Sequence, residues 1–207
     1  GLIGIKNKDD YTFLHSVSVC TLMIAFGRSL GLAGDDLRQA GIGGLLHDVG
    51  KMKVPDAVLN KPGRLTDAEF ALIKQHPGDG HAVLLDTPGI GPVPLDITRH
   101  HHERLDGQGY PRRLKADQLG LPERVMALAD VFEALTAADR PYKTPKSLNE
   151  TLCIMAAMCR EQHLDTELFR YFLHSGLWQQ LAHTHLQAAQ VDRVDPASIE
   201  ALLPSRS

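Results

Sequence analysis

A few histidines and aspartates in this chain call for a chemical explanation. Eleven histidines stand beside only six phenylalanines, and seven of the eleven fall between positions 15 and 102. His15 shares an apolar stripe with Tyr11, Val19, Leu22 and Phe26, spaced as on one face of a helix. His47 and Asp48 close the apolar run Ile42 to Leu46, from which adjacent side chains can reach a single cleft. His76 precedes Pro77, and His100, His101 and His102 are consecutive, which solubility does not require. Asp130 stands inside Met126-Ala-Leu-Ala-Asp-Val-Phe, where a buried charge must find a cation or give up its ionisation. Taken singly, each has an ordinary explanation, such as a hydrogen-bonded core histidine or a histidine ending a helix and compensating its dipole. Taken together, they are the ligand set of a hydrolytic transition-metal site, in which several helices bring neutral imidazoles and carboxylates to one centre. An aspartate shared by two ions holds them about 3.5 to 4 Å apart, the separation used for in-line phosphoester hydrolysis. Asp48 is the candidate bridge.

Such a site needs helices to position it, and the periodicity is helical almost throughout. No segment alternates cleanly enough for a strand, so an all-α domain follows. The first helix is predicted over about residues 11–30, with Gly31 beyond its end. The second opens near Asp35 and closes at His47, Asp48 and Gly50. Thr66 and Glu69 form a capping-box pattern for a helix ending at His76, before Pro77. Another helix is expected to follow the Thr87–Pro94 stretch and end around the triple histidine. Pro122 suits the first turn of a helix reaching about Ala138, Ser147 with Glu150 caps the next, and Asp195-Pro196 starts a short terminal one. The segment from Glu103 to Gly120, rich in glycine and charge, reads as a working loop.

Composition narrows the function classes. With 207 residues, 43% hydrophobic and 23% charged, the chain reads as one globular domain. No apolar run reaches the roughly 18 residues of a membrane span. Cys20, Cys153 and Cys159 cannot all pair and form no close cluster, which fits a reducing compartment. Gly1 opens the chain without a methionine or a basic leader, as in a fragment or processed chain, and no targeting signal is seen. The net charge of −3 argues against duplex nucleic acid as a partner. Residues 51–64, 99–115 and 140–146 each carry a net charge of +3. If they converge they focus a small anion, and if not they are solvated faces.

The motifs become specific when read in order: His47-Asp48-Val-Gly-Lys51, His76-Pro77, His101-His102-Glu103-Arg-Leu-Asp106-Gly-Gln-Gly109-Tyr110-Pro111, Ala129-Asp130-Val-Phe-Glu-Ala-Leu-Thr, and Arg140-Pro-Tyr-Lys143. In this order they resemble the HD-GYP family of cyclic di-GMP phosphodiesterases, across about residues 11–175. The Gly-Tyr-Pro loop separates that family from the broad HD hydrolase superfamily. The resemblance implies an HD-type helical bundle with a metal centre in its core over residues 1–175, and a helical extension packed on it over 176–207. It implies two divalent transition-metal ions, iron, manganese, nickel or zinc, held by His15, His47, Asp48, His76, His101, His102 and Asp130. Asp48 and Lys51 are then the catalytic pair, Lys51 meeting a phosphate oxygen, while Tyr110, Arg140 and Lys143 bind substrate. The reaction implied is hydrolysis of cyclic di-GMP to linear pGpG, with GMP the further product only where that intermediate is not released, in the cytoplasm. An upstream regulatory domain and a signalling partner at the Gly-Tyr-Pro loop also belong to the family picture.

This chain departs from the family at two positions. Tyr11 stands where some members carry a glutamate for a third metal, and a phenol is a poor ligand at neutral pH, so two metals are expected. Glu133 stands where a second aspartate is common, keeping the charge on a longer arm. His100 loses to the His101-His102 register because the ligands fall immediately before Glu103, and His81 has no place in the motif. The rival readings are an HD hydrolase of another nucleotide, which has no need of the Gly-Tyr-Pro loop, and a silent cyclic-dinucleotide receptor, against which the intact ligand set argues.

Overall fold

The computed structural model describes residues 10–138 and 144–205, and the regular elements among them are helical. Their only β-pairing is an isolated bridge between Asp106 and Lys115. Helix α1 (Asp10–Ser29) buries the stripe read from the sequence: Val19, Leu22 and Phe26 are almost fully enclosed, and His15 shares their face. Helix α2 (Gly34–Leu46) lies against α1 with unusually close backbones. A β-carbon on Gly44 would sit 3.1 Å from the Cα of Cys20, and one on Gly43 would meet Ile97 of α6 (Pro92–His100) at 2.4 Å. The glycines of Gly-Ile-Gly-Gly therefore let α2 slot between α1 and α6. The end of α2 delivers His47 and Asp48 to the interior, and a 3₁₀ turn (Val49–Lys53) follows.

Short helix α3 (Asp56–Leu59) leads to α4 (Asp67–Ile73), opened by the expected Thr66–Glu69 capping box. The sequence expectation for His76 is corrected here. Helix α4 stops at Ile73, and His76 begins helix α5 (His76–Leu85) instead of ending its predecessor. Pro77 explains the difference, since a residue without an N–H is tolerated in a first turn, where that donor has no intrahelical partner. Helix α6 ends at the triple histidine as expected, although Pro92 and Pro94 fall inside its first turn.

Beyond the loop come α7 (Leu121–Thr136), α8 (Leu148–Arg160), α9 (Thr166–His174), α10 (Leu177–His185) and α11 (Pro196–Glu200). One apolar core joins α1 to these helices, through Met126, Phe132, Met155 and Phe172 among others, with Phe26 stacked on Phe172 at 4.8 Å. Leu177, Trp178, Leu181 and Ile199 are buried in the same core. No helix among the described residues is long and apolar enough to cross a membrane. In the first two basic patches, several cations pair locally: Lys61 with Glu69, Lys53 with Asp79, and Arg104 with Asp106. Lys51 alone of the 51–64 cations pairs with a candidate ligand.

Candidate metal centre

Four imidazoles are held by their Nδ1 atoms. His47 Nδ1 donates to the Gly44 carbonyl at 2.7 Å, His76 Nδ1 to the Ile73 carbonyl at 2.7 Å, and His101 Nδ1 to the Thr98 carbonyl at 2.9 Å. A carbonyl can only accept, so each ring carries its proton on Nδ1 and turns an Nε2 lone pair inward. His15, in mid-helix, is bound at Nδ1 by the carboxylate of Glu133. Anchoring the remote nitrogen in this way orients a metal-ligating histidine and raises its basicity.

Asp48 is buried between them, and its two oxygens face different partners. Oδ1 lies 3.1 Å from His76 Nε2 and 3.6 Å from His101 Nε2. Oδ2 lies 3.3 Å from His47 Nε2, 3.8 Å from His15 Nε2 and 2.6 Å from Lys51 Nζ. Two ligand groups result, Asp48 with His76, His101 and His102, and Asp48 with His15 and His47. Asp130 reaches the second through His15 Nε2 at 3.1 Å. His76 and His101 oppose their Nε2 atoms at 3.0 Å, and the buried Asp48 Oδ1 finds no hydrogen bond. Lone pairs facing lone pairs repel, so these atoms call for a shared cation. The donor set of imidazoles around a carboxylate fits a divalent transition metal.

The electrostatics agree with ligand protonation states. Burial acts to raise the Asp48 carboxyl, but the Lys51 ammonium beside it outweighs burial and holds it well below the carboxylate range. Burial likewise acts to raise Asp130, and His15 overrides it in the same way. Burial pulls His101 down to about 4 despite Asp48, and burial keeps His102 low as well. Both rings are therefore neutral and able to ligate. For His15 burial is outweighed by Asp130 and Glu133, which raise it to about 10, so without metal this ring carries the cation.

A family model for the HD domain matches residues 5–168. The chain belongs to the HD domain family. It is 43% identical over 206 residues to a cyclic di-GMP phosphodiesterase of Pseudomonas aeruginosa, covering 99% of this chain and 49% of that protein. It is 40% identical over 165 residues to a 3′3′-cGAMP-specific phosphodiesterase of Vibrio cholerae, covering 80% of this chain and 38% of that protein. The chain thus spans half or less of the length of these relatives. Among solved structures, an HDG"Y"P protein from Bdellovibrio bacteriovorus superposes with a TM-score of 0.62 at 23% identity, covering 82% of this chain and 52% of that one. The HD domain of an L. monocytogenes phosphodiesterase, in complex with cyclic di-AMP, gives 0.67 at 17% identity, covering 94% and 98%. At these identities the structural likenesses speak for the fold.

In this HD domain the Gly-Tyr-Pro loop lies over the histidines. Tyr110 donates its backbone N–H to the His102 carbonyl at 3.1 Å and sets its ring 4.7 Å from the His102 ring. Burial pushes its phenol pKa up, with Asp48 and Asp130 adding to the effect. Buried Glu103 clamps the loop by accepting from the N–H groups of Arg112 at 2.6 Å and Leu114 at 2.9 Å. Sequence reading assigned Glu103 no role. The contact of Glu133, undetermined in the sequence, is the His15 ring. Tyr11 stacks on His15, with centroids 5.9 Å apart. His100 and His81 lie outside both ligand groups. Arg140 and Lys143 lie outside the described residues.

Proposed function

We propose that this HD domain hydrolyses the 3′,5′ phosphodiester bonds of cyclic di-GMP, giving linear pGpG and, where that intermediate is retained, GMP. The observation that carries the reading is Asp48, which gives one oxygen to each of two imidazole groups, as a carboxylate bridging two metals does. The 43% identity to a cyclic di-GMP phosphodiesterase and the Gly-Tyr-Pro loop support the choice of substrate.

His15, His47 and Asp130 would hold one ion and His76, His101 and His102 the other, with Asp48 shared between the two groups. Iron, manganese, nickel and zinc all suit this donor set. When bound, two such ions supply Lewis acidity toward the phosphate and a water of lowered pKa. Lys51, already at 2.6 Å from Asp48, meets a nonbridging phosphate oxygen and neutralises charge that grows in the transition state. Tyr110, kept as a neutral phenol, offers its ring and its O–H to the substrate. Arg140 and Lys143 hold the second phosphate or a guanine edge. Residues 1–175 form the catalytic domain and 176–207 a helical extension packed on it. The setting is cytoplasmic, with an upstream regulatory domain and a signalling partner at the Gly-Tyr-Pro loop.

The test is to load the protein with each of the four metals, supply cyclic di-GMP and resolve pGpG from GMP. Turnover that disappears on chelation and returns with metal is expected. Asp48→Ala is expected to lose most bound metal and nearly all turnover while keeping its helical circular dichroism. Failure of every metal to support turnover overturns the reading, and full metal occupancy in folded Asp48→Ala overturns the bridge.

A further inference from the structure

His15 borders two spaces. Its Nε2 atom faces the ligand groups, and the residue, with Glu133, also lines a cavity of about 220 Å³. The cavity lies between α1, the C-terminal end of α7 and the last turn of α10 with the residues just after it. Its lining includes apolar Leu22 and Phe132, the Tyr11 ring, which lies within 22° of parallel to the His15 ring, and polar Ser18, His185 and Gln187. An apolar slot with a few converging polar groups is the form of a small-ligand site. The volume falls below the roughly 300 Å³ from which pockets accept a drug-sized ligand, so it suits one flat heterocycle and not a whole dinucleotide.

We propose that this cavity is a guanine subsite: one base of the substrate enters beside Tyr11 while its phosphate is held at the ligand groups to which His15 belongs. The proposal rests on the phosphodiesterase reading above and extends it to how the base is chosen. Glu133 makes the choice. A carboxylate only accepts, and it offers about four lone-pair positions, of which His15 takes one. The Watson–Crick edge of guanine presents two adjacent donors, N1–H and N2–H, to such a group. Adenine presents the N1 lone pair there and is repelled. Bases taken out of a stack are read in this manner, by their Watson–Crick edge and by aromatic contact. His185 and Gln187, from a segment without any family motif, complete the rim.

The experiment compares kcat/KM for cyclic di-GMP, cyclic di-AMP and bis(p-nitrophenyl) phosphate, a diester without a base, using the metal-loaded full chain. Wild type is expected to prefer cyclic di-GMP to cyclic di-AMP at least tenfold. Ser18→Leu, which fills the slot, and His185→Ala with Gln187→Ala, which removes polar lining, are each expected to lower the ratio of cyclic di-GMP to bis(p-nitrophenyl) phosphate about tenfold. Wild-type ratios in both variants overturn the subsite, and equal turnover of the two cyclic dinucleotides overturns its guanine preference. Wild type that cleaves bis(p-nitrophenyl) phosphate and no cyclic dinucleotide overturns the reading underneath, and does so before any variant is made.

Discussion

Gly50 sits between the two halves of the candidate ligand set, and replacing it by alanine tests whether backbone contact holds them in register. A β-carbon there would lie 1.9 Å from the His76 carbonyl oxygen, 2.5 Å from the Gly80 nitrogen and 2.8 Å from the His76 carbonyl carbon. The oxygen contact is roughly 1.5 Å inside ordinary van der Waals separation, and every atom met is backbone of α5, which cannot turn aside as a side chain would. The 3₁₀ turn carrying Lys51 must therefore move away from the helix carrying His76. Overpacking of this kind costs about 1 to 3 kcal/mol, which for a domain of this size lowers Tm by roughly 2 to 12 °C. A displacement of about 1 Å at a reacting centre costs on the order of 10²-fold in rate. Gly50→Ala is thus expected to keep a helical spectrum, bind less metal and lose about two orders of magnitude in kcat. Gly78→Ala is the control, because Gly78 lies in the same helix, is exposed, and has nothing within 4 Å of an added β-carbon. Relief of a helical glycine there is expected to leave Tm unchanged or raise it slightly. Elemental analysis, thermal melts and initial rates decide the matter. Wild-type metal content and turnover in Gly50→Ala, or equal losses in both variants, would refute the argument from backbone contact.

Other outcomes follow from single contacts. Glu133→Gln keeps the shape beside His15 and removes the charge, so metal affinity is expected to fall about 10- to 100-fold by titration, and unchanged affinity sinks the anchoring role. Lys51→Ala is expected to lower kcat by about 10²-fold with little change in KM, while Arg140→Ala and Lys143→Ala mainly raise KM. The same change in both constants for all three variants contradicts that division. Tyr11 supplies no carboxylate beside His15, so about two ions per chain are expected and Tyr11→Glu is expected to admit a weak third; anomalous scattering showing three full sites in unmodified protein rules this out.

The legible and illegible parts of this site divide along a physical line. Residue types in order, His47-Asp48, His101-His102 and Asp130, were readable because imidazole and carboxylate are rare in apolar runs and costly to bury without a purpose. Positions in space were less so. His76 read as the end of a helix because Pro77 commonly stops one, yet the same proline opens α5. The anchors were hidden altogether, since three of the four are backbone carbonyls, which every residue possesses. Their location nonetheless follows a rule. Gly44 and Thr98 lie in the last turns of α2 and α6, and Ile73 is the last residue of α4. Helix ends leave such carbonyls without an intrahelical partner. A histidine three residues on supplies the missing donor from Nδ1 and thereby fixes its own Nε2 toward the centre. His15 cannot use this device, because the carbonyls around it in mid-α1 are already taken by the helix. Its Nδ1 needs a side chain from elsewhere, and in the described structure that side chain is Glu133, 118 residues away. An acid at position 133 thus anchors the one candidate ligand histidine that is not near a helix terminus.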